Sequence, residues 1–373
     1  MKVRLIAVAA VALVLAAPAY AGAPDVDARA YLVVDATTGD VLAQKAANAR
    51  VPMASLTKLM TVLLTMQHAK LDDVVTVQPD AAAVGESSID LRTGERMTVH
   101  DLLEGALIQS ANDAADALAD YVGHGSASRF VAMMNAEARK LGLTHTHYER
   151  PDGLDVTGHY SSARDVTMLA QLVMRYPVIR SIVRERTAQI SGGRTLHTWN
   201  DLLGIFRGVD GVKTGHTDNA GWCEVANVKR DGLDLYATIL GSPSRGQRDH
   251  DLAALLRWAL SVERPAWVIA PGRVYGHVPV GYGRSPVPLV AARPLLRPVR
   301  VDRPLVERVT TAGAADLPLR QGQRLGQVRV YSGGALVATA PLVAAHAVSR
   351  PALLGRVGFY ARRTFSHVKG WLS

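Results

Sequence analysis

An α+β fold, with a mainly antiparallel sheet covered by helices, is predicted by three observations. Strand-like runs flank a long helical block: AYLVVDATTGDVLAQK at residues 30–45 on one side, GWCEVANV and LDLYATILG on the other. Runs so far apart in the chain meet most simply as neighbours in one sheet with the helices packed over it. After Pro265 the composition turns to Val, Pro, Gly and Arg, which predicts a separate small all-β domain over 268–346. The last residues, 350–373, read as an amphipathic helix.

The elements follow in order. Residues 1–21 open with MKVR, continue as LIAVAAVALVLAAP and end in Ala-Tyr-Ala, the pattern of a secretory signal peptide. The apolar run is short and interrupted by Pro18, which argues against a spanning helix. Its removal takes away Lys2 and Arg4, so the formal charge of +9 falls to +7. A basic exported protein suits an anionic surface such as a membrane or cell wall, and no nucleic-acid partner is expected. At 373 residues with 48% apolar content, the chain can fill two proper cores. Cys223 is the only cysteine, so no intrachain disulfide can form; its apolar strand predicts a small buried hydrophobe.

The first domain is expected over 24–266. After the 30–45 strands, Leu56, Leu59, Met60, Leu63 and Leu64 recur at helical spacing from Ser55 onward. Helical patterns dominate to about residue 190, and a further helix is expected through DLAALLRWALS. In the tail, Leu353, Leu354, Val357, Tyr360, Ala361, Phe365, Val368, Trp371 and Leu372 fall within an arc of about 140° on a helical wheel. Arg356, Arg362, Arg363 and Lys369 flank it or lie opposite, a pattern that suits a helix lying in a membrane interface. Phe359 falls on the polar side.

Three short motifs carry the chemistry. Ser55-Leu56-Thr57-Lys58 sets a hydroxyl and an amine one helical turn apart, on one face. Ser110-Ala111-Asn112 lies between helical stretches, and Lys213-Thr214-Gly215 precedes a strand. Each is weak alone. In this order and setting they match the serine-lysine constellation of penicillin-binding proteins and serine β-lactamases. With MASLTKLMT, SANDAADALADY, YSSARD and DGVKTGHTDNAG, the chain resembles the serine D-alanyl-D-alanine carboxypeptidases, the low-molecular-mass penicillin-binding proteins. The resemblance covers almost the whole mature chain.

That resemblance implies a β-lactamase/transpeptidase-like catalytic domain and an acyl-transfer reaction. Ser55 would attack the D-Ala–D-Ala bond of a peptidoglycan pentapeptide, the last D-Ala would leave, and water would hydrolyse the ester. Lys58 can deprotonate Ser55 only if neutral, which calls for burial and a neighbouring cation such as Lys213. Ser110 would relay a proton to the leaving amine, and Asn112 would hold Lys58 and the substrate amide. Backbone N–H groups of Ser55 and His216 would form the oxyanion hole. The strand edge at Lys213, Thr214, Gly215 and His216 would pair with the extended peptide, Gly215 permitting close approach. Lys213 and Thr214 would take the terminal carboxylate, with Arg248 brought toward it. No cofactor or metal is expected. β-Lactams would act as covalent inhibitors, and residues 350–373 would make peripheral contact with the periplasmic face of the bacterial inner membrane.

Other readings share these residues. A β-lactamase would need a water-positioning Glu in an E-x-x-L-N loop, and the sequence holds no such run. A DD-endopeptidase acting on cross-linked peptides is the nearest enzyme alternative, and a non-catalytic wall-binding or shape-setting protein is another. Trp199-Asn200 and the charged pair Glu149-Arg150 depart from the pattern of some relatives and bear on substrate preference.

Overall fold

The computed structural model describes residues 8–11 and 22–369. It divides into two units, one spanning 21–261 and the other 262–373 together with 1–20. Of the expected signal peptide, residues 1–7 and 12–21 lie outside the described residues, as do Trp371 and Leu372 of the tail.

The first unit is built on a five-stranded sheet ordered Val41–Lys45, Ala30–Asp35, Leu233–Ser242, Gly221–Arg230, Val209–Thr217, every neighbouring pair antiparallel. Strands from both ends of this unit therefore meet at its centre, with Val34 opposite Tyr236 and Val33 opposite Ala237. Side chains alternate between faces along a strand, which gives each strand two audiences. Leu32 and Val34 join a core with Leu59, Leu63, Ala114 and Leu169 from the helices on one face. Tyr31 and Val33 join a second core with Leu252, Leu255 and Leu256 of the Arg245–Val262 helix. Because both faces are covered, the strands read as nearly unbroken apolar runs. Leu59, Met60 and Leu64 are almost wholly buried, and each contributes about 1.5–3 kcal/mol by leaving water. Several of the helices carry hydroxyl caps, Thr98 accepting from the Asp101 N–H, Ser126 from Arg129 and Ser162 from Asp165.

The stretch expected to be mainly helical to residue 190 holds two small hairpins. Val74–Thr76 pairs with Arg96–Thr98, and Thr187–Ile190 with Arg194–His197. Their runs are only three or four residues long, too short for a period to show, and the Val and Thr they contain favour extended backbone.

The second unit takes in the chain from Val262, and its first strand after that point, Glu263–Ile269, pairs with Leu295–Arg300. Its main sheet is ordered Val8–Val11, Leu305–Thr311, Arg324–Ser332, Ala335–Ala344, Val287–Ala291, Val274–Val278. Val278, Leu289, Val328, Val330 and Leu342 fill its core. The tail helix spans Leu353–Lys369. Leu353, Leu354, Val357 and Tyr360 stand exposed on it, while Phe359 meets Tyr282 edge-on at 5.8 Å. The aromatic that broke the apolar stripe thus faces the helix's own module, and Tyr360 meets the same Tyr282 ring at 6.1 Å. Among the described residues, no helix is long and apolar enough to cross a membrane.

Candidate active site

Ser55 sits in a single tight turn, Ala54–Thr57, that leads directly into the Lys58–His68 helix. Ala54, just before it, has φ +50°, a left-handed conformation costly for a residue with a Cβ. Ser110 is likewise left-handed, at φ +64°, between a π-helical turn at Gly105–Gln109 and the Asn112–Val122 helix. Strain of this kind is held only where the surroundings over-determine it, and here it falls at two of the three motifs.

The surroundings of Ala54 are explicit. His159 Nδ1 accepts from the Glu149 N–H at 3.0 Å, which leaves its proton on Nε2 to donate to Thr57 Oγ1 at 2.7 Å. The Thr57 hydroxyl in turn donates to the Ala54 carbonyl at 2.8 Å. Burial lowers the His159 pKa to about 4, so the ring stays neutral and keeps this tautomer. Gly153, at φ +91°, closes over the same carbonyl; a Cβ there would lie 2.1 Å from it.

Lys58 is fully buried. Its Nζ lies 2.8 Å from Ser55 Oγ, 2.7 Å from Asn112 Oδ1 and 2.7 Å from the Asp152 carbonyl oxygen. The Asn112 amide is oriented by donating its Nδ2 to the Gly85 carbonyl at 3.0 Å, so Oδ1 must face Lys58. A neutral amine has two N–H bonds and one lone pair. Two of its three neighbours are pure acceptors and consume both N–H bonds. The lone pair is left for Ser55, the one neighbour with a proton to give. Burial lowers the Lys58 pKa to about 8, against the pull of Asp152, Asp116 and Asp113 to raise it; Arg150 adds to the lowering. Lys213, the cation expected beside it, is held well below its ordinary range by burial first and then by repulsion from Lys58, an interaction the two lysines share.

Lys213 Nζ donates to Ser110 Oγ at 2.7 Å and to the Thr214 carbonyl at 2.8 Å. The three motifs thus form two short chains of polar contacts, Ser55–Lys58–Asn112 and Ser110–Lys213, joined through the Ser110-Ala111-Asn112 backbone. Gly215 brings the Val209–Thr217 strand against the nucleophile: a Cβ on it would lie 2.8 Å from the Ser55 nitrogen and 3.0 Å from Ala54 Cβ.

These groups open on a cavity of about 200 Å³ lined by Ser55, Ser110, Asn112, Thr214, Gly215, His216 and Arg248, with Glu86, Ser87, Leu154, Trp199 and Trp222. Arg248 is not a surface charge; it is 1% exposed. Its guanidinium donates to Asp249 at 2.6 and 2.8 Å and to Asp201 at 3.3 Å. Glu224 lies 3.1 Å from Arg248 Nε, close enough for an ion pair although neither oxygen is aligned for a hydrogen bond. Burial pushes the Glu224 carboxyl up to about 8. His216 is exposed, its ring stacked on Trp222 with centroids 4.1 Å apart. Trp199 stands at the rim, donating Nε1 to the Gln109 carbonyl, while Asn200 turns inward to accept from Leu202 and Leu203 N–H groups. Cys223 is buried, and burial raises its thiol pKa to about 11, which leaves it inert.

The site also holds residues the motifs did not name: Asp152 and Arg150, Asp116, Glu224, and His159, the partner of Thr57. A lone Glu inside the apolar run GWCEVANV was the readable signal for Glu224.

Known proteins resemble this chain in sequence and fold. Residues 17–244 match the family model described as D-alanyl-D-alanine carboxypeptidase. The chain belongs to the D-alanyl-D-alanine carboxypeptidase family. Residues 266–350 match the model for the C-terminal domain of penicillin-binding protein 5. The D-alanyl-D-alanine carboxypeptidase DacC of Escherichia coli is 33% identical over 94% of this chain and 92% of its own length. DacA of the same organism is 31% identical over 93% of this chain and 90% of its own. Among solved structures, penicillin binding protein 6B from Escherichia coli superposes with a TM-score of 0.68 at 30% identity, covering 88% of this chain and 98% of that one. The α+β domain followed by an all-β domain is therefore the architecture of this carboxypeptidase family.

Proposed function

We infer that this member of the family is a serine-type D-alanyl-D-alanine carboxypeptidase that removes the terminal D-alanine of a peptidoglycan pentapeptide through an acyl-enzyme on Ser55. The observation that carries the reading is the buried Lys58 amine, 2.8 Å from Ser55 Oγ, with its two N–H bonds already engaged. Lys58 takes the Ser55 proton as Oγ bonds to the penultimate carbonyl carbon. Negative charge gathers on the carbonyl oxygen, where the Ser55 and His216 N–H groups receive it. Collapse breaks the C–N bond, and the departing D-alanine amine takes a proton through Ser110. Water then attacks the ester, and Ser55 recovers its hydrogen. Lys213, Thr214 and Arg248 receive the terminal carboxylate. The indole rings of Trp199 and Trp222 and the Leu154 side chain supply apolar wall to the cavity.

A penicillin mimics the scissile bond and acylates Ser55 the same way. Without a water-positioning Glu loop the penicilloyl ester persists, so the protein is a target of penicillin rather than its destroyer. The purified protein is expected to release D-alanine from a free pentapeptide much faster than it cleaves a cross-linked dimer. Equal or faster cleavage of the dimer would reassign it as an endopeptidase.

We also place this enzyme outside the cytoplasm, exported by residues 1–21 and held peripherally at a membrane by 350–373. The four large apolar side chains exposed on the Leu353–Lys369 helix support that contact, since water exposure of that face has an unfavourable free energy which a lipid interface relieves. Deleting 350–373 is expected to release the protein from sedimenting membranes with D-alanine release unchanged; continued sedimentation would exclude this anchor.

A further inference from the structure

Beneath the catalytic lysine lies a charged cluster that the reaction described above does not use. Arg150 grips the Asp152 carboxylate with two bonds, Nε to Oδ1 at 2.6 Å and Nη2 to Oδ2 at 2.5 Å. The Leu154 N–H adds a third to Oδ1 at 2.9 Å. Asp152 is fully buried, so this grip fixes its backbone as well as its side chain. The carbonyl of the same residue is the acceptor that takes one N–H of Lys58 at 2.7 Å. One residue thus presents both a carbonyl and a carboxylate charge to the base.

We propose that Arg150 is a positioning residue for Lys58: it holds the Asp152 carbonyl that orients the amine and cancels the carboxylate charge beneath it. This rests on Lys58 being the base that activates Ser55. The charged groups facing Lys58 from the elements around it are Asp152 and Arg150 on the 150–154 loop, Asp113 and Asp116 on the Asn112–Val122 helix, and Lys213 on its strand. Asp113 is saturated by Ser88 and the Ile89 and Leu91 N–H groups. Asp116, with one buried oxygen lacking a partner, is pushed up to about 8 by burial and by Asp152. Asp152 is the carboxylate that acts most strongly on the amine, and the one gripped by a guanidinium. Removing that cation favours the ammonium; removing the carboxylate favours the neutral amine.

The test is the pH dependence of acylation by a fluorescent penicillin, measured on the full chain from pH 6 to 10. Wild type is expected to accelerate with pH and then level off. Arg150→Met is expected to move that rising limb up by about one pH unit, about tenfold slower on the limb and converging with wild type on the plateau. Arg150→Lys restores the wild-type limb, and Asp152→Asn moves it down. A wild-type chain with no rising limb would defeat Lys58 as the base, a separate failure. With the wild-type limb present, an Arg150→Met protein of normal melting temperature that slows equally at every pH would overturn the proposal. If Arg150→Met does not fold, Asp152→Asn decides: an unmoved or upward-shifted limb overturns it.

Discussion

Ser55→Ala is expected to lower D-alanine release by at least about 10⁴-fold and to abolish labelling by a fluorescent penicillin. The change removes one oxygen from a tight turn whose backbone is fixed by Thr57, His159 and Gly153 rather than by the serine hydroxyl. Ser55 Oγ has Lys58 as its partner, and Lys58 keeps Asn112 and Asp152 without it. The fold should survive, with a melting temperature close to wild type. Loss of both activities in a folded protein assigns the covalent step to this oxygen. Retained labelling would move the nucleophile elsewhere, and a wild type with no D-alanine release would favour the non-catalytic reading instead.

Lys58→Met is expected to slow acylation by about 10²- to 10⁴-fold, the range for loss of a positioned general base. Methionine nearly matches the buried volume, but it strands the Asn112 and Asp152 oxygens, each worth about 1–3 kcal/mol when buried without a donor. Relief from burying an amine offsets this in part. Thermal melts should therefore show far less change than the rates. Lys58→Arg sharpens the point. A guanidinium keeps the positive charge but does not lose its proton in this range, so it should be as inactive as methionine. Activity in the arginine variant near that of wild type would mean that Lys58 acts through its charge and not as a base.

Much of this site could be read from the sequence because its chemistry is local. The Ser55–Lys58 pair is one helical turn, and Lys213-Thr214-Gly215, read as preceding a strand, lies within the Val209–Thr217 strand with its glycine at a point of close approach. The five-stranded sheet was legible for the same reason, since both of its faces are covered and its strands stay apolar throughout. What escaped depends on contacts distant in sequence. Nothing in the spacing of Arg150 and Asp152 says that their loop lies under Lys58, 94 residues away in sequence. Lys213 was legible as a cation coupled to Lys58, whereas Arg150, which also lowers the amine, was not. The burial of Arg248 left no mark in the sequence, because two of the acids paired with it, Asp201 and Glu224, come from other segments. The small hairpins at 74–98 and 187–197 are too short to leave a period. Phe359, out of place on a helical wheel drawn for a lipid surface, has its explanation in Tyr282.

The pKa of about 8 fixes the direction of the pH response. Below it the amine is mostly ammonium, so the reactive form grows about tenfold for each pH unit; above it the gain is exhausted. The most direct measurement is a site-resolved titration of the Lys58 amine by nitrogen-15 NMR in the resting full-length protein, assigned with Lys58→Met. The account predicts a transition near pH 8 that coincides with the rise in acylation rate. An amine that remains protonated to pH 10 or above, while acylation has already reached its plateau, would contradict it.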